Sequence, residues 1–240
     1  MIKKFETECN TSKDILELGE LHKITGLKYK ITTDRLYNFV RHYLNKTESL
    51  YHANLNWIDT SGIYTMDNLF YESNFDGDIS EWDVSNVKSM VRMFYHSYFN
   101  GNISKWNVGN VKSMYEMFTS SWFHGDISNW DVSNVTDMSA MFAWSIFNRD
   151  ISNWDVSNAK NMQRMFAWSN FNSDISKWNI NKECNTIRMF YHGSINNEYK
   201  PKGVLISESF NFDAVDKQKK RINVYSRFFD ILEKPYKTIT

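Results

Sequence analysis

The chain has 240 residues, 42% apolar and 23% charged, with 2 prolines, a composition that builds a buried core and excludes a disordered or collagen-like polymer. Its two cysteines, Cys9 and Cys184, stand too far apart for metal-ligand spacing and close one bridge at most, which excludes a disulfide scaffold and a zinc knuckle. The net charge is zero but unevenly spread. Residues 1–50 carry 9 basic and 7 acidic side chains, residues 51–198 carry 10 and 16, and residues 199–240 carry 9 and 5. An acidic middle disfavours a nucleic-acid partner there.

In chain order, the amino terminus places Lys3 and Lys4 before acids and polar residues, where a secretory signal needs an apolar run. That predicts a cytoplasmic or virion-associated location rather than secretion, and no stretch is apolar enough to insert in a membrane. Residues 1–54 read as an N-terminal helical cap. A short helix is expected near Ile15–Leu21, and a second follows Thr32-Thr33-Asp34, with Leu36, Tyr37, Phe39, Val40 and Leu44 on its apolar face.

From about residue 55 to 198 the chain repeats itself. Trp82, Trp106, Trp130, Trp154 and Trp178 are each 24 residues apart. Around them recur Asp78-Ile79-Ser80-Glu81-Trp82-Asp83-Val84-Ser85-Asn86-Val87 and its copies starting at Asp126 and Asp150. Met90, Met114, Met138 and Met162 follow, then Met93-Phe94 and its equivalents through Met189-Phe190, and Phe75, Phe99, Phe123, Phe147 and Phe171 close the units. A degenerate earlier copy runs through Trp57, Met66, Leu69 and Phe70. A unit this small cannot enclose its own apolar side chains, so about six copies must stack and share a core. The expected fold class is therefore an α/β repeat solenoid of strand and short-helix coils. Trp82 and Val84, two apart, predict a short strand, and Val87, Met90, Met93 and Phe94 fall at the spacing of one helical face, with Ser85-Asn86 as its cap. Gly77, Gly101 and Gly125 mark a turn expected to need positive φ.

Residues 199–240 read as a C-terminal cap. Val204-Leu205-Ile206 is expected to add a strand, and Ala214–Leu232 a basic helix carrying the run Lys217-Gln218-Lys219-Lys220-Arg221.

The unit Asp-Ile-Ser-x-Trp-Asp-Val-Ser-Asn-Val-x-x-Met-x-x-Met-Phe resembles the repeat of the BspA-type leucine-rich-repeat surface proteins, and within them the mycoplasma-type surface-protein repeats of unknown function. The resemblance covers about residues 55–198. It implies a leucine-rich-repeat-like solenoid and, from characterised members, adhesion or protein binding; it implies no catalytic residues. Short leaderless chains of this kind are similar to proteins encoded by bacteriophages and large viruses.

Catalytic chemistry needs different groups converging on one point, whereas a repeat sets the same residue in a row. The histidines include no pair at i, i+4, and nucleophile-elbow, phosphate-loop and dinucleotide motifs are absent, so neither an enzyme nor a cofactor is expected. The rows Asp78, Asn102, Asp126, Asp150, Asp174 and Asp83, Asn107, Asp131, Asp155, Asn179 offer oxygens of the kind calcium takes. Asn replaces Asp freely in both, which conserves hydrogen bonding rather than charge and reads as turn chemistry without a metal. Asn86, Asn110, Asn134 and Asn158 read as an amide ladder between coils.

Recognition is expected where coils differ. Two and four residues after the Met-Phe pairs stand His96 and Tyr98, Ser120 and Trp122, Trp144 and Ile146, Trp168 and Asn170, and His192 and Ser194. Tyr98, Trp122, Trp144, Trp168, His96 and His192 are the candidate partner-binding residues, a strip of aromatics at positions the shared core does not claim. A second candidate face is Glu81, Lys105, Asn129, Asn153 and Lys177. The reading is a non-enzymatic protein-interaction module with a protein partner; the alternatives are a component of a phage particle or other assembly, and a surface adhesin for host protein or glycan.

Overall fold

The computed structural model describes residues 19–20, 22–44 and 47–204. The strand expected at Val204-Leu205-Ile206, the basic helix over Ala214–Leu232 and most of Ile15–Leu21 lie outside the described residues.

After a helical turn at residues 22–25, the N-terminal flank forms β1 (Tyr29–Lys30) and α1 (Thr33–Asn38). Thr32 caps α1, its hydroxyl accepting from the Arg35 amide, and a π-helical turn over Phe39–Tyr43 continues it. Of the apolar face expected for this helix, Leu36, Phe39, Val40 and Leu44 are buried, whereas Tyr37 is exposed and lies off the packed face. β1 pairs in parallel with β2 (Ile58–Asp59), Tyr29 opposite Ile58, which covers one edge of the first coil. The Arg41 guanidinium donates to the Tyr71 carbonyl of that coil at 2.6 Å and stacks over the Tyr71 ring.

Beyond Asp59 the chain winds in coils bonded in parallel, with Thr65, Ser89, Ser113, Asp137, Asn161 and Asn185 as successive bridge partners. The interior is columnar. Phe70, Phe94, Phe118, Phe142, Phe166 and Phe190 stack with centroids 5.5–5.7 Å apart. Phe75, Phe99, Phe123, Phe147 and Phe171 form a second column at 6.1–6.3 Å. Within a coil the two columns touch, as Phe118 does Phe123 at 4.5 Å. Each such aromatic pair contributes about 0.5–1.5 kcal/mol beyond the area it buries. The indoles of Trp82, Trp106, Trp130, Trp154 and Trp178 each donate to a carbonyl of the preceding coil, Trp130 Nε1 to Ile103 O at 3.1 Å for example. The amide ladder is built the same way, with Asn110 donating to Ser85 O at 2.8 Å and Asn134 to Gly109 O at 2.9 Å. Ser97, Ser121 and Ser169 are buried and accept from the amides of Phe99, Phe123 and Phe171, fixing the turn that brings the second phenylalanine inward.

The local structure of a coil differs from the expected strand and helix. Trp82 and Val84 are buried with Asp83 exposed, as an extended segment requires, yet Trp82 N closes a turn on Ile79 O and the bridges that recur from coil to coil lie at Ser89 and its equivalents. Beside Trp106, Trp130 and Trp154 coil-to-coil bonding is carried by the indole and asparagine side chains, whereas in the first coil a parallel backbone bridge between Asn54 and Asp78 adds to the Trp82 and Asn86 bonds. The expected helix over Val87 to Phe94 is a run of turns. Arg92, Phe94 and His96 donate to Tyr115 O, Met117 O and Thr119 O of the next coil, each at 2.9 Å, while Met93, Tyr95 and Ser97 close turns on Met90, Arg92 and Phe94. A helix would spend these amides within itself and leave neighbouring coils unbonded; alternating them satisfies both needs.

This alternation demands left-handed backbone at non-glycine residues. Asn68, Arg92, Glu116, Ala140, Arg164 and Arg188 have φ of 53–57° or close to it at 52°, and Glu72, His96, Ser120, Trp144, Trp168 and His192 have φ of 51–59°. Gly77, Gly101 and Gly125 are not among the positive-φ residues, which corrects the expectation for that turn. Close approach explains them: a Cβ on Gly77 would meet Ala53 O at 2.2 Å and the Phe75 ring at 2.5 Å. Ala140→Gly is expected to raise stability by about 0.5–1 kcal/mol, the left-handed penalty of roughly 1–2 kcal/mol less the added backbone entropy of glycine. Urea denaturation of the two proteins measures it.

Candidate interaction surface

The polar rows are engaged in their own turns. Asp78, Asp126, Asp150 and Asp174 accept from the amides of Ser80, Ser128, Ser152 and Ser176, and Asn102 from Ser104, at 2.9–3.0 Å. Asp83, Asp131 and Asp155 do the same with Ser85, Ser133 and Ser157, and Asn107 with Gly109. These are Asx turns, which explains why Asn and Asp interchange. Among the described residues no three of His, Cys, Asp and Glu converge as metal ligands. The Ser128 amide and hydroxyl hold the Asp126 carboxyl below the ordinary carboxylate value, and the Ser157 hydroxyl and amide do so for Asp155. A depressed folded-state pKa contributes stability above the unfolded value of about 3.9, and loses it as pH falls through the folded value. The double substitution Asp126→Asn and Asp155→Asn is therefore expected to leave Tm at pH 7 nearly unchanged and to flatten its fall below pH of about 4. Melting curves across pH 2–7 test this.

The outward row Glu81, Lys105, Asn129, Asn153 and Lys177 is exposed, and Glu81 pairs with Lys28 at 3.0 Å. It holds one acid, two lysines and two uncharged asparagines, so it presents no continuous field of one sign to a partner.

The aromatic strip separates into two registers. Trp144, Trp168 and His192 follow one another in successive coils at the same left-handed backbone position, where Trp144 and Trp168 donate their amides to Ala167 O and Tyr191 O of the next coil. Their rings stack, Trp144 on Trp168 at 4.7 Å and 9° and Trp168 on His192 at 4.1 Å. Tyr98 and Trp122 occupy the position two residues further on, beside the buried serines, and stack at 5.7 Å and 15°. His96 shares the first register, but the ring it meets is Tyr95 of its own coil at 4.7 Å, so it does not join the Trp144 group. The small Ser120 follows His96 in this register and ends the aromatic run there. Tyr98 is 43% exposed and Trp144 41%, whereas Trp122, Trp168 and His192 are half-buried.

Two further residues belong to this surface. Tyr191 sets its edge against Trp168 at 5.8 Å and against His192 at 4.1 Å, and the Arg188 guanidinium lies over the Tyr191 ring at 5.4 Å. The signal was present in the chain: Arg-Met-Phe-Tyr occurs at 92–95 and again at 188–191, and Arg92 likewise lies over Tyr95 at 5.9 Å.

Stacked coils with a columnar core define a repeat protein, and its coil-variable positions define its candidate surface. The chain belongs to the family described as Mycoplasma protein of unknown function, DUF285, which matches residues 38–145 and 119–203 and so takes in the whole coil stack. No curated protein and no solved structure matches the chain. Among the described residues no helix is long and apolar enough to cross a membrane.

Proposed function

We propose that the chain is a leucine-rich-repeat-like solenoid of the BspA type, and that it acts as a non-enzymatic module holding a protein partner along its aromatic edge. One observation carries this reading: Trp144 is a large ring, 41% exposed, held rigid by stacking on Trp168 at a backbone position that disfavours any residue with a Cβ. An ordered aromatic loses little entropy when a partner covers it, and such rings anchor protein interfaces. The buried columns already supply the cohesion of the stack, so the Trp144–Trp168 pair is not needed for it.

The test is binding of the partner purified from the native source, compared between the wild-type chain and the double variant Trp144→Ser and Trp168→Ser. Loss of about 2 kcal/mol or more, roughly thirtyfold in Kd, is expected, with an intact cooperative melt in both proteins. Unchanged affinity in a folded double variant would remove the aromatic edge as the binding site.

A further inference from the structure

The edge that carries the tryptophans changes charge along the stack. In the first coil the ladder segment 67–72 holds Asp67 and Glu72 and no base. In the next two, Arg92 and Glu116 neutralise one another across coils, with Tyr115 donating to Glu116. The equivalent segments 139–144, 163–168 and 187–192 hold Arg164 and Arg188 and no acid. Among the described residues neither arginine has an ion pair. The nearest acid before this region, Asp137, is turned to the Ser139 amide and hydroxyl at 2.9 and 2.6 Å. The two cationic segments hold Trp168, Tyr191 and His192, and the uncharged segment 139–144 beside them holds Trp144, although residues 51–198 as a whole carry 10 bases and 16 acids.

Resting on the aromatic-edge reading, we propose that the partner is an acidic protein segment, whose carboxylates meet Arg164 and Arg188 while an aromatic or apolar side chain packs on Trp144. Arg188 is already oriented by Tyr191, so its planar fork is held ready for a carboxylate, and Arg164 is exposed four residues before Trp168. The same charges steer an acidic chain toward the aromatic end and the first coil's acids repel it, which fixes where it lands. A nucleic acid would meet the same arginines but also the surplus acids of the remaining faces.

The experiment titrates the full chain against a fluorescein-labelled peptide of alternating glutamate and tyrosine, its lysine-tyrosine counterpart and a single-stranded oligonucleotide. Binding of the glutamate peptide, weakened by salt and about tenfold or more by Arg164→Gln with Arg188→Gln, is expected, with no binding of the lysine peptide. Arg164→Gln alone, at an exposed side chain, guards against a folding defect and is expected to show part of the loss. No binding of the glutamate peptide, affinity unchanged in the arginine variants, or preference for the oligonucleotide would overturn the proposal. If the natural partner is lost by the tryptophan variants but kept by the arginine variants, the aromatic surface stands and its acidic specificity falls.

Discussion

Replacing Phe118 by alanine is expected to destabilise the chain by about 3–5 kcal/mol, enough to threaten folding of a domain held by 5–15 kcal/mol in all. Its ring is fully buried and packs on Phe94 at 5.5 Å, Phe142 at 5.6 Å, Phe123 at 4.5 Å and Trp130 at 6.4 Å. Truncation opens a cavity that three successive coils line, and those coils cannot close it without breaking the bonds that set their spacing. Phe94 and Met117 illustrate the constraint, since Phe94 N donates to Met117 O at 2.9 Å beside the ring. Phe190, half-buried in the last coil and stacked on Phe166, is expected to cost clearly less when truncated. Urea unfolding of the two variants gives both values and their order.

Gly77→Ala is the second large effect, an expected loss of about 1–3 kcal/mol or more from overpacking. The added methyl would lie 2.2 Å from the Ala53 carbonyl oxygen, and that carbonyl also accepts the Asp78 amide at 3.0 Å, so neither atom is free to retreat. The clash weakens along the stack. At Gly101 the nearest backbone atom is Gly77 O at 2.9 Å, and at Gly125 it is Gly101 O at 3.7 Å, where the Phe123 ring at 2.8 Å becomes the main obstacle. Arg149 and Ser173 then fill the same position with side chains of their own. Gly125→Ala is accordingly expected to be milder than Gly77→Ala, and thermal denaturation of both decides.

The columns were legible in the chain because each is one residue type repeated at one interval: the tryptophans, the two phenylalanine sets and the asparagine ladder emerge from spacing alone. The buried serines at 73, 97, 121, 145 and 169 repeat just as regularly, but a small polar residue carries no expectation of burial, so they passed unread. Backbone direction was not legible. Met90, Met93 and Phe94 have the spacing of a helical face, and the same spacing serves a run of turns that points the same side chains inward. The left-handed positions gave no warning because they hold Arg, Glu, Ala, Ser, Trp and His where glycine or asparagine would have announced them; Asn68 is the exception. The aromatic strip was visible as a set of residues, whereas its division into a Tyr98–Trp122 pair and a Trp144–Trp168–His192 column follows from ring contacts that sequence does not encode.

Amide hydrogen exchange is the most direct measure of whether neighbouring coils complete one another. The amides of Glu116, Phe118 and Ser120 donate to Ser139 O, Met141 O and Ala143 O of the following coil. The account predicts that all three exchange slowly and with one common free energy, that of cooperative unfolding. Rapid exchange at these residues, at the rate of open surface turns, would contradict it.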